Sequence, residues 1–392
     1  MRSGFSLGRI FGVRISIDWS WLFIFLLVTW NLAAGVFPAL HPEWDQTLNW
    51  AIGLLASLLF FASVLVHELA HSLVAIARGL PVRRITLFLF GGVSNIEREP
   101  TSPVSEFLIA IVGPLISIAL GVVLLAMGGL WLDPMAALED PQAVLAEQSP
   151  AASLMTWLGS VNLTLGLFNL IPGFPLDGGR VLRSILWSFT DNLTRATRWA
   201  SAVGQVIAWI FIIAGIAMAF GLQLPFFGTG LLSGLWLAFI GWFLYQAAMQ
   251  SYQRVVVEDL LDGVPVRRLM REDAPTVSPD LSIDDLVDHY LLGTDERAFP
   301  VIDQDRLVGL VCVEDVRGID RALWKSQTVA SIMTPATDLD LATPREEVSE
   351  ALGRLTRRDV RQMPVVQDGQ LVGMLRRRDI LRWLQLHSEA AT

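Results

Sequence analysis

The chain has a single cysteine, Cys312, among 392 residues, so an intrachain disulfide and a cysteine-based zinc knuckle are both excluded. Charge is scarce as well, at 17% of residues against a hydrophobic share of 53%, which departs from an ordinary soluble domain. The scarcity is uneven. Residues 1–250 hold 11 of the 29 basic and 13 of the 38 acidic side chains, and the last 142 residues hold the other 18 and 25. An apolar front part is therefore followed by an acidic globular tail, whose net charge of −7 (18 − 25) argues against nucleic acid as a partner. The N-terminus, MRSGFSLGRIFGVRISIDWSW, has basic residues ahead of an apolar run but lacks a small-residue cleavage pattern behind it. It reads as a retained first membrane span.

Six segments approach the roughly 20 apolar residues that a bilayer core requires: 17–38, 48–77, 105–131, 152–171, 199–221 and 229–249. The connections 39–47, 132–151 and 222–228 contain no Lys or Arg, and the second carries Asp133, Glu139, Asp140 and Glu147. The alternate connections carry the arginines. Arg2, Arg9 and Arg14 precede the first span, Arg78, Arg83, Arg84 and Arg98 follow the second, and Arg180, Arg183, Arg195 and Arg198 follow the fourth. Basic loops stay on the cytosolic side, so both termini and the tail are expected in the cytosol. The implied location is a cell membrane, of the bacterial inner or plasma type. Core helices of a large soluble protein also give apolar runs, but not six with a consistent charge alternation.

Histidine is rare too, with five in the chain, and two of them lie near the C-terminal end of the second span in His67-Glu68-Leu69-Ala70-His71. Positions i and i+4 share one helix face, so both imidazoles can reach one ion, and Glu68 beside them can act on the attacking water. Ionisable groups inside a span are costly and point to function; a histidine pair satisfied by backbone carbonyls is the plainer alternative. Zinc suits imidazole, and a catalytic zinc takes three protein ligands and keeps one position open. Asp177 is the candidate third ligand, in FNLIPGFPLDGGRVL just past the fourth span. Its prolines and glycines interrupt the helix, and irregular backbone at membrane depth must be buried in protein or line a cavity. The plainer reading makes Asp177 the cap of a helix starting at Gly178, with Gly-Gly as a flexible turn. His71 lies seven residues before Arg78, about 10 Å below the cytosolic boundary, and the fourth span ends on that same side.

HELAH in one span and NLIPGFPLDGG after a later one together resemble the site-2 protease family of intramembrane zinc metalloproteases. The resemblance covers roughly residues 1–250. It implies one zinc per chain, held by His67, His71 and Asp177, with Glu68 as general base and acid. Asn169 and Pro172 fall at matching positions of the second element, and Asn169 becomes a candidate for holding the substrate backbone or the oxyanion. FLFGGVSNIE, from Phe88, resembles the family's Gly-Gly strand-like element, where an extended substrate could pair by strand addition; an amphipathic hairpin on the membrane surface is the alternative. Gly113-Pro114-Leu115-Ile116-Ser117 has Ser where family members often carry Asn, a change expected to leave the zinc site untouched.

The tail repeats itself. FPVIDQDRLVGLVCVEDV (299–316) is echoed by MPVVQDGQLVGMLRRRDI (363–380), with Pro300 and Pro364, Gly309 and Gly373, and Asp315 and Asp379 each 64 residues apart. A fixed period means duplicated structural units, each read as a helix, a pair of alternating strands and a helix. This resembles a tandem pair of CBS domains, which in other proteins binds adenine nucleotides. Cys312 and Arg376 replace the hydroxyl residue of that family's G-h-h-S/T-x-x-D, while Asp315 and Asp379 remain as nucleotide-binding candidates. A dimerisation module without a ligand is the alternative.

The expected architecture is a multi-pass α-helical membrane protein of about six spans with a C-terminal cytosolic α/β CBS pair. Its parts are a protease-like domain (1–250), a linker (251–263), two CBS domains (264–322 and 327–386, together 264–386) and a short tail (387–392). The expected function is zinc-dependent hydrolysis in or near the transmembrane segment of a single-pass membrane protein. By resemblance, that substrate is a membrane-held transcription regulator, and the CBS pair regulates or forms a homodimer. Membrane lipid is the other expected partner. A transporter gated by its CBS pair is the rival from another class; a pore has no need of a carboxylate delivered beside HExxH. A catalytically dead scaffold of the same fold is the second rival, against which Glu68 and all three presumptive ligands are intact.

Overall fold

The computed structural model describes residues 4–89, 91–96, 99–130, 145–224, 230–292, 294 and 296–388. Of the residues singled out above, Arg2, Phe90, Glu97, Arg98, Asp133, Glu139 and Asp140 lie outside them, as do 389–392. The chain forms two compact units, Met1–Gln253 and Arg254–Thr392.

In the first unit, long helices begin where a polar side chain precedes an apolar run, because its oxygen takes one of the amides that a helix start leaves unpaired. Asp18 accepts from the amide of Ser20 ahead of α1 (Trp19–Leu40). Asp45 accepts from Leu48 ahead of α2 (Gln46–Ala77). Ser102 and Ser149 do the same for α3 (Pro103–Gly129) and α4 (Pro150–Asn169). The short helix α5 (Asp177–Thr190) follows the interrupted segment, and Asn192 then caps α6 (Leu193–Ala219). The last helix, α7 (Leu231–Leu261), runs on through residues 251–261 of the expected linker 251–263. Helices α1, α2, α3, α4, α6 and α7 are each long and apolar enough to cross a bilayer.

A β-sheet stands at the N-terminal end of α1 and the C-terminal end of α2. Its strands are β1 (Gly4–Ile10), β2 (Val13–Asp18), β3 (Val82–Phe88) and β4 (Gly91–Ile96), paired in that order. The outer pairs are antiparallel and β2–β3 is parallel. Alternation decides its faces: Val13, Ile15, Ile17, Ile85 and Leu87 are buried, packing on Phe61, Val64, Leu65 and Leu69 of α2. The stretch read as basic residues before a span is thus largely a hairpin.

Apolar side chains have no preference for each other over lipid, so membrane helices associate through close backbone approach at small residues. On α3 and α4 a Cβ at Gly121 would lie 2.7 Å from the amide nitrogen of Leu163, and one at Gly159 2.8 Å from that of Leu125.

The second unit repeats one design. The hairpin β5 (Ala298–Asp303) and β6 (Arg306–Cys312) leads into α8 (Val313–Arg317), and β6 also pairs with the two-residue β7 (Thr334–Pro335). After α9 (Val348–Arg357), the hairpin β8 (Gln362–Gln367) and β9 (Gln370–Arg376) leads into α10 (Arg377–Ser388). Ala298 faces Cys312 as Gln362 faces Arg376, and the register shifts at Val301/Ile302 as at Val365/Val366. Both hairpin turns have two residues at positive φ, Gln304-Asp305 and Asp368-Gly369, the turn whose twist suits adjacent strands.

The α3–α4 contact is testable. Gly159→Val should force the backbones apart and cost about 1–3 kcal/mol, read as a lower unfolding midpoint in detergent.

Candidate metal centre

Helix α2 places His67 and His71 one turn apart on its buried face, with 5% and 4% of their surfaces exposed. Asp177 comes from the first residue of α5. Its Oδ2 lies 3.1 Å from His67 Nε2 and 3.2 Å from His71 Nε2, and the two Nε2 atoms are 3.2 Å apart. The N-cap of α5 is Leu176, which makes no side-chain capping bond. The carboxylate of Asp177 is therefore turned to the histidines and does not cap. The glycines behind it pack tightly: a Cβ at Gly178 would sit 2.4 Å from the Leu170 carbonyl, and one at Gly179 2.4 Å from the Phe174 amide nitrogen.

The other ring nitrogens are held from α3. Nδ1 of His71 faces the carbonyl of Ile109 at 2.5 Å. A carbonyl only accepts, so this Nδ1 carries the proton and Nε2 offers a lone pair. Nδ1 of His67 pairs with Ser117 Oγ at 2.9 Å. Ser117 thus touches a site residue directly, contrary to the expectation that this position leaves the zinc site untouched. Between these contacts α3 runs so close that a Cβ at Gly113 would lie 2.2 Å from His71 Nε2 and 2.9 Å from His67 Nε2.

Two imidazole nitrogens and a carboxylate oxygen form a donor set that fits zinc. Ligand atoms bound at about 2.0–2.1 Å to a tetrahedral ion stand roughly 3.3 Å apart, close to the 3.1–3.2 Å separations here. The Ile109 contact keeps the His71 proton on the far nitrogen, so His71 Nε2 and Asp177 Oδ2 face each other as acceptors and repel unless a cation or proton lies between them.

Glu68 is half-buried beside this cluster. Ser94 of β4 donates to its Oε2 at 2.8 Å, and Ser72 donates to Ser94 at 3.1 Å. A Cβ at Gly92 would lie 2.4 Å from Glu68 Cγ, so only glycine lets β4 cross here. β4 ends the sheet, and one edge of it pairs with no other strand among the described residues. Asn169 ends α4, and its amide donates to Leu165 at 2.9 Å.

Sequence reasoning counted Arg183 as a loop cation, but it is 4% exposed. Its guanidinium binds the fully buried carboxylate of Glu106 on α3 and that of Glu99, and lies 5.3 Å over the ring of Phe174. This clamp fastens the helix that bears Asp177 to the helix that supports both histidines. A buried arginine and its buried carboxylate on separate helices leave no trace in composition or spacing.

In the second unit, a cleft of about 650 Å³ is lined by Glu296, Ala298, Leu310, Cys312, Asp315 and Arg376, among others. The two aspartates singled out earlier have local partners. Asp315 accepts from the Cys312 amide at 2.8 Å, and Asp379 takes a two-point contact from Arg376. Arg376 also reaches Glu296 at 2.6 Å, as does Arg271 at 2.8 Å. Burial, with Asp315 and Glu314 nearby, pushes the Cys312 thiol up to about 12, so it stays protonated at neutral pH.

Residues 55–140 and 132–211 match peptidase family M50, and residues 266–321 and 329–386 match the CBS domain. Rip3 of Mycobacterium tuberculosis (strain ATCC 25618 / H37Rv) is 34% identical over 389 residues, 99% of this chain and 94% of that protein. The sll0528 protein of Synechocystis sp. (strain ATCC 27184 / PCC 6803 / Kazusa) is 34% identical over 388 residues, 98% of this chain and 96% of that protein. Each is named as a candidate zinc metalloprotease. A solved site-2 protease from Methanocaldococcus jannaschii is 28% identical, with a TM-score of 0.41, over 64% of this chain and 95% of that one.

Two outcomes check this geometry. Ser117→Ala removes the partner of His67 Nδ1 and should weaken zinc binding by about 10–100-fold, measured by competition with a chelator. Arg183→Met leaves the buried Glu106 with only the longer contact to Arg180 at 3.8 Å, at a cost of about 3–5 kcal/mol. Adding Glu106→Leu should restore most of that stability in an unfolding titration.

Proposed function

The chain belongs to peptidase family M50, as a zinc metalloprotease of the site-2 protease type carrying a tandem CBS pair, and we propose that it cleaves membrane-protein substrates in or near a transmembrane segment. One observation carries this reading: side chains from α2 and α5, more than 100 residues apart in sequence, present three ligand atoms to a single point inside a multi-pass helical unit. His67, His71 and Asp177 are the zinc ligands in this reading, one ion per chain.

When bound, zinc supplies the Lewis acidity that polarises a scissile carbonyl and brings water into its nucleophilic form near neutral pH. Glu68 takes a proton from the attacking water and delivers it to the leaving amine. Ser94 holds the Glu68 carboxylate in place for both transfers, and Ser117 and Ile109 hold the two rings. A substrate helix shields its carbonyls with its own hydrogen bonds, so the reacting segment must first become extended. The free edge of β4 accepts such a segment as an added strand, and the contact of Gly92 with Glu68 puts that strand beside the base. Asn169 has its amide engaged with Leu165, so its share in holding the substrate backbone or the oxyanion falls to its side-chain oxygen.

The arginine asymmetry of the connections supports cytosolic termini and a cytosolic CBS pair, and the membrane in this reading is of the bacterial inner or plasma type. The substrate class that fits is a single-pass protein, such as a membrane-held transcription regulator. The CBS unit serves as the regulatory or dimerising part, and its cleft is the place for an adenine nucleotide. Such a ligand has to meet a Glu296–Arg376–Asp379 network that is already closed on itself.

The test uses detergent-purified full-length protein. The expected result is about one zinc per chain, lost in His71→Ala. Glu68→Gln should keep the metal and cleave roughly 10²–10⁴-fold more slowly. Absence of zinc from the unaltered chain after dialysis against trace metal, or undiminished cleavage by Glu68→Gln, would overturn the assignment.

A further inference from the structure

The face of the sheet turned away from α2 carries a row of like charge. Arg9 on β1 is the register partner of Arg14 on β2, and Arg14 is the partner of Arg84 on β3. All three are exposed, and among the described residues no carboxylate pairs with any of them. The row continues through the partner of Arg84, the neutral Asn95 of β4. A cavity of about 430 Å³ opens here, lined by Arg9, Gly12, Arg14, Val82, Arg83 and Arg84. Among the described residues, no acidic side chain lines it.

Like charges directly opposite one another on neighbouring strands destabilise a sheet. A neutral or acidic residue at any of the three places would lessen that repulsion, as the neutral Asn95 does at the next place in the row. A shared anion relieves the repulsion instead, and the planar fork of arginine matches phosphate oxygens in pairs.

We propose that this arginine row is a binding site for the phosphate-bearing headgroup of an anionic phospholipid in the adjoining leaflet. Phosphate could come from a lipid or from solution, and two features select the lipid. The sheet is joined directly to two membrane-crossing helices, since β2 runs into α1 at Trp19 and α2 ends at Ala77 just before β3. The same hairpin bears exposed apolar side chains beside the arginines: Leu7 at 60%, Ile10 at 39% and Phe11 at 73%. Cations ringed by apolar groups suit the boundary where headgroup meets acyl chain.

The experiment is native mass spectrometry of the full-length protein in detergent, titrated with phosphatidylglycerol or phosphatidylcholine. The unaltered chain is expected to retain phosphatidylglycerol preferentially. Arg9→Gln, Arg14→Gln and Arg84→Gln together should reduce that retention by roughly fivefold per arginine removed, with phosphatidylcholine unaffected. Because the change relieves repulsion, the variant's unfolding midpoint in lipid-free detergent should not fall. If the triple variant does not fold, Arg9→Gln alone is compared with the unaltered chain and should show the single fivefold loss. Equal phosphatidylglycerol retention by variant and unaltered chain overturns the proposal. So does displacement of the lipid by inorganic phosphate at equal concentration, which would mark a free-anion site.

Discussion

Two imidazole nitrogens and one carboxylate oxygen stand 3.1–3.2 Å from one another in a largely buried part of the protein. Much of the local sequence can be understood as serving that arrangement. Gly113 removes the side chain that would fill the space between the rings, and Gly178 and Gly179 let the start of α5 press against the turn before it. Arg183 and Glu106 lock α5 to α3, which also holds both histidine rings from behind. Three helices thus share one fixed geometry, and disturbing any one of them moves a ligand atom.

Glu68, the proposed base, is governed from a different direction. It stands on the same helix as the histidines, yet its carboxylate is held by Ser94 of an end strand. Under the proposed function, the end strand that would receive an extended substrate is also the strand that positions the base, and recognition and proton transfer would meet in one element.

The site was legible in the sequence where local geometry alone sets position. HELAH needs only helical periodicity to bring His67 and His71 to one face, and the broken backbone around Asp177 announced a carboxylate that the structure places beside them. The 64-residue period likewise foretold twin hairpins, down to their matching register. What stayed hidden depended on partners far away in the chain. Ser117 was judged by residue type, whereas its importance lies in a contact made fifty residues off. Arg183 was counted by charge, and a charge rule does not register burial. The period-2 pattern of Val13–Asp18 abuts an apolar helix, so the strand merged with the span in the reading. Asp315 and Asp379 kept their family positions, but the groups that occupy them, the Cys312 amide and the Arg376 guanidinium, emerge only from the fold.

The core of the second repeat has an unexpected member. Leu261 and Val264, at the start of the second unit, are buried with Ala342, Val348, Leu355, Val365 and Leu384, while the first repeat builds its own core from Val277 to Val329. The chain enters the unit through the repeat that it finishes last. During synthesis, which runs at about 5–20 residues per second, the first repeat can close as soon as it emerges. Leu261 and Val264 must wait exposed for more than a hundred further residues until Leu384 of α10 emerges, so the end from which the unit began is the end that is completed late.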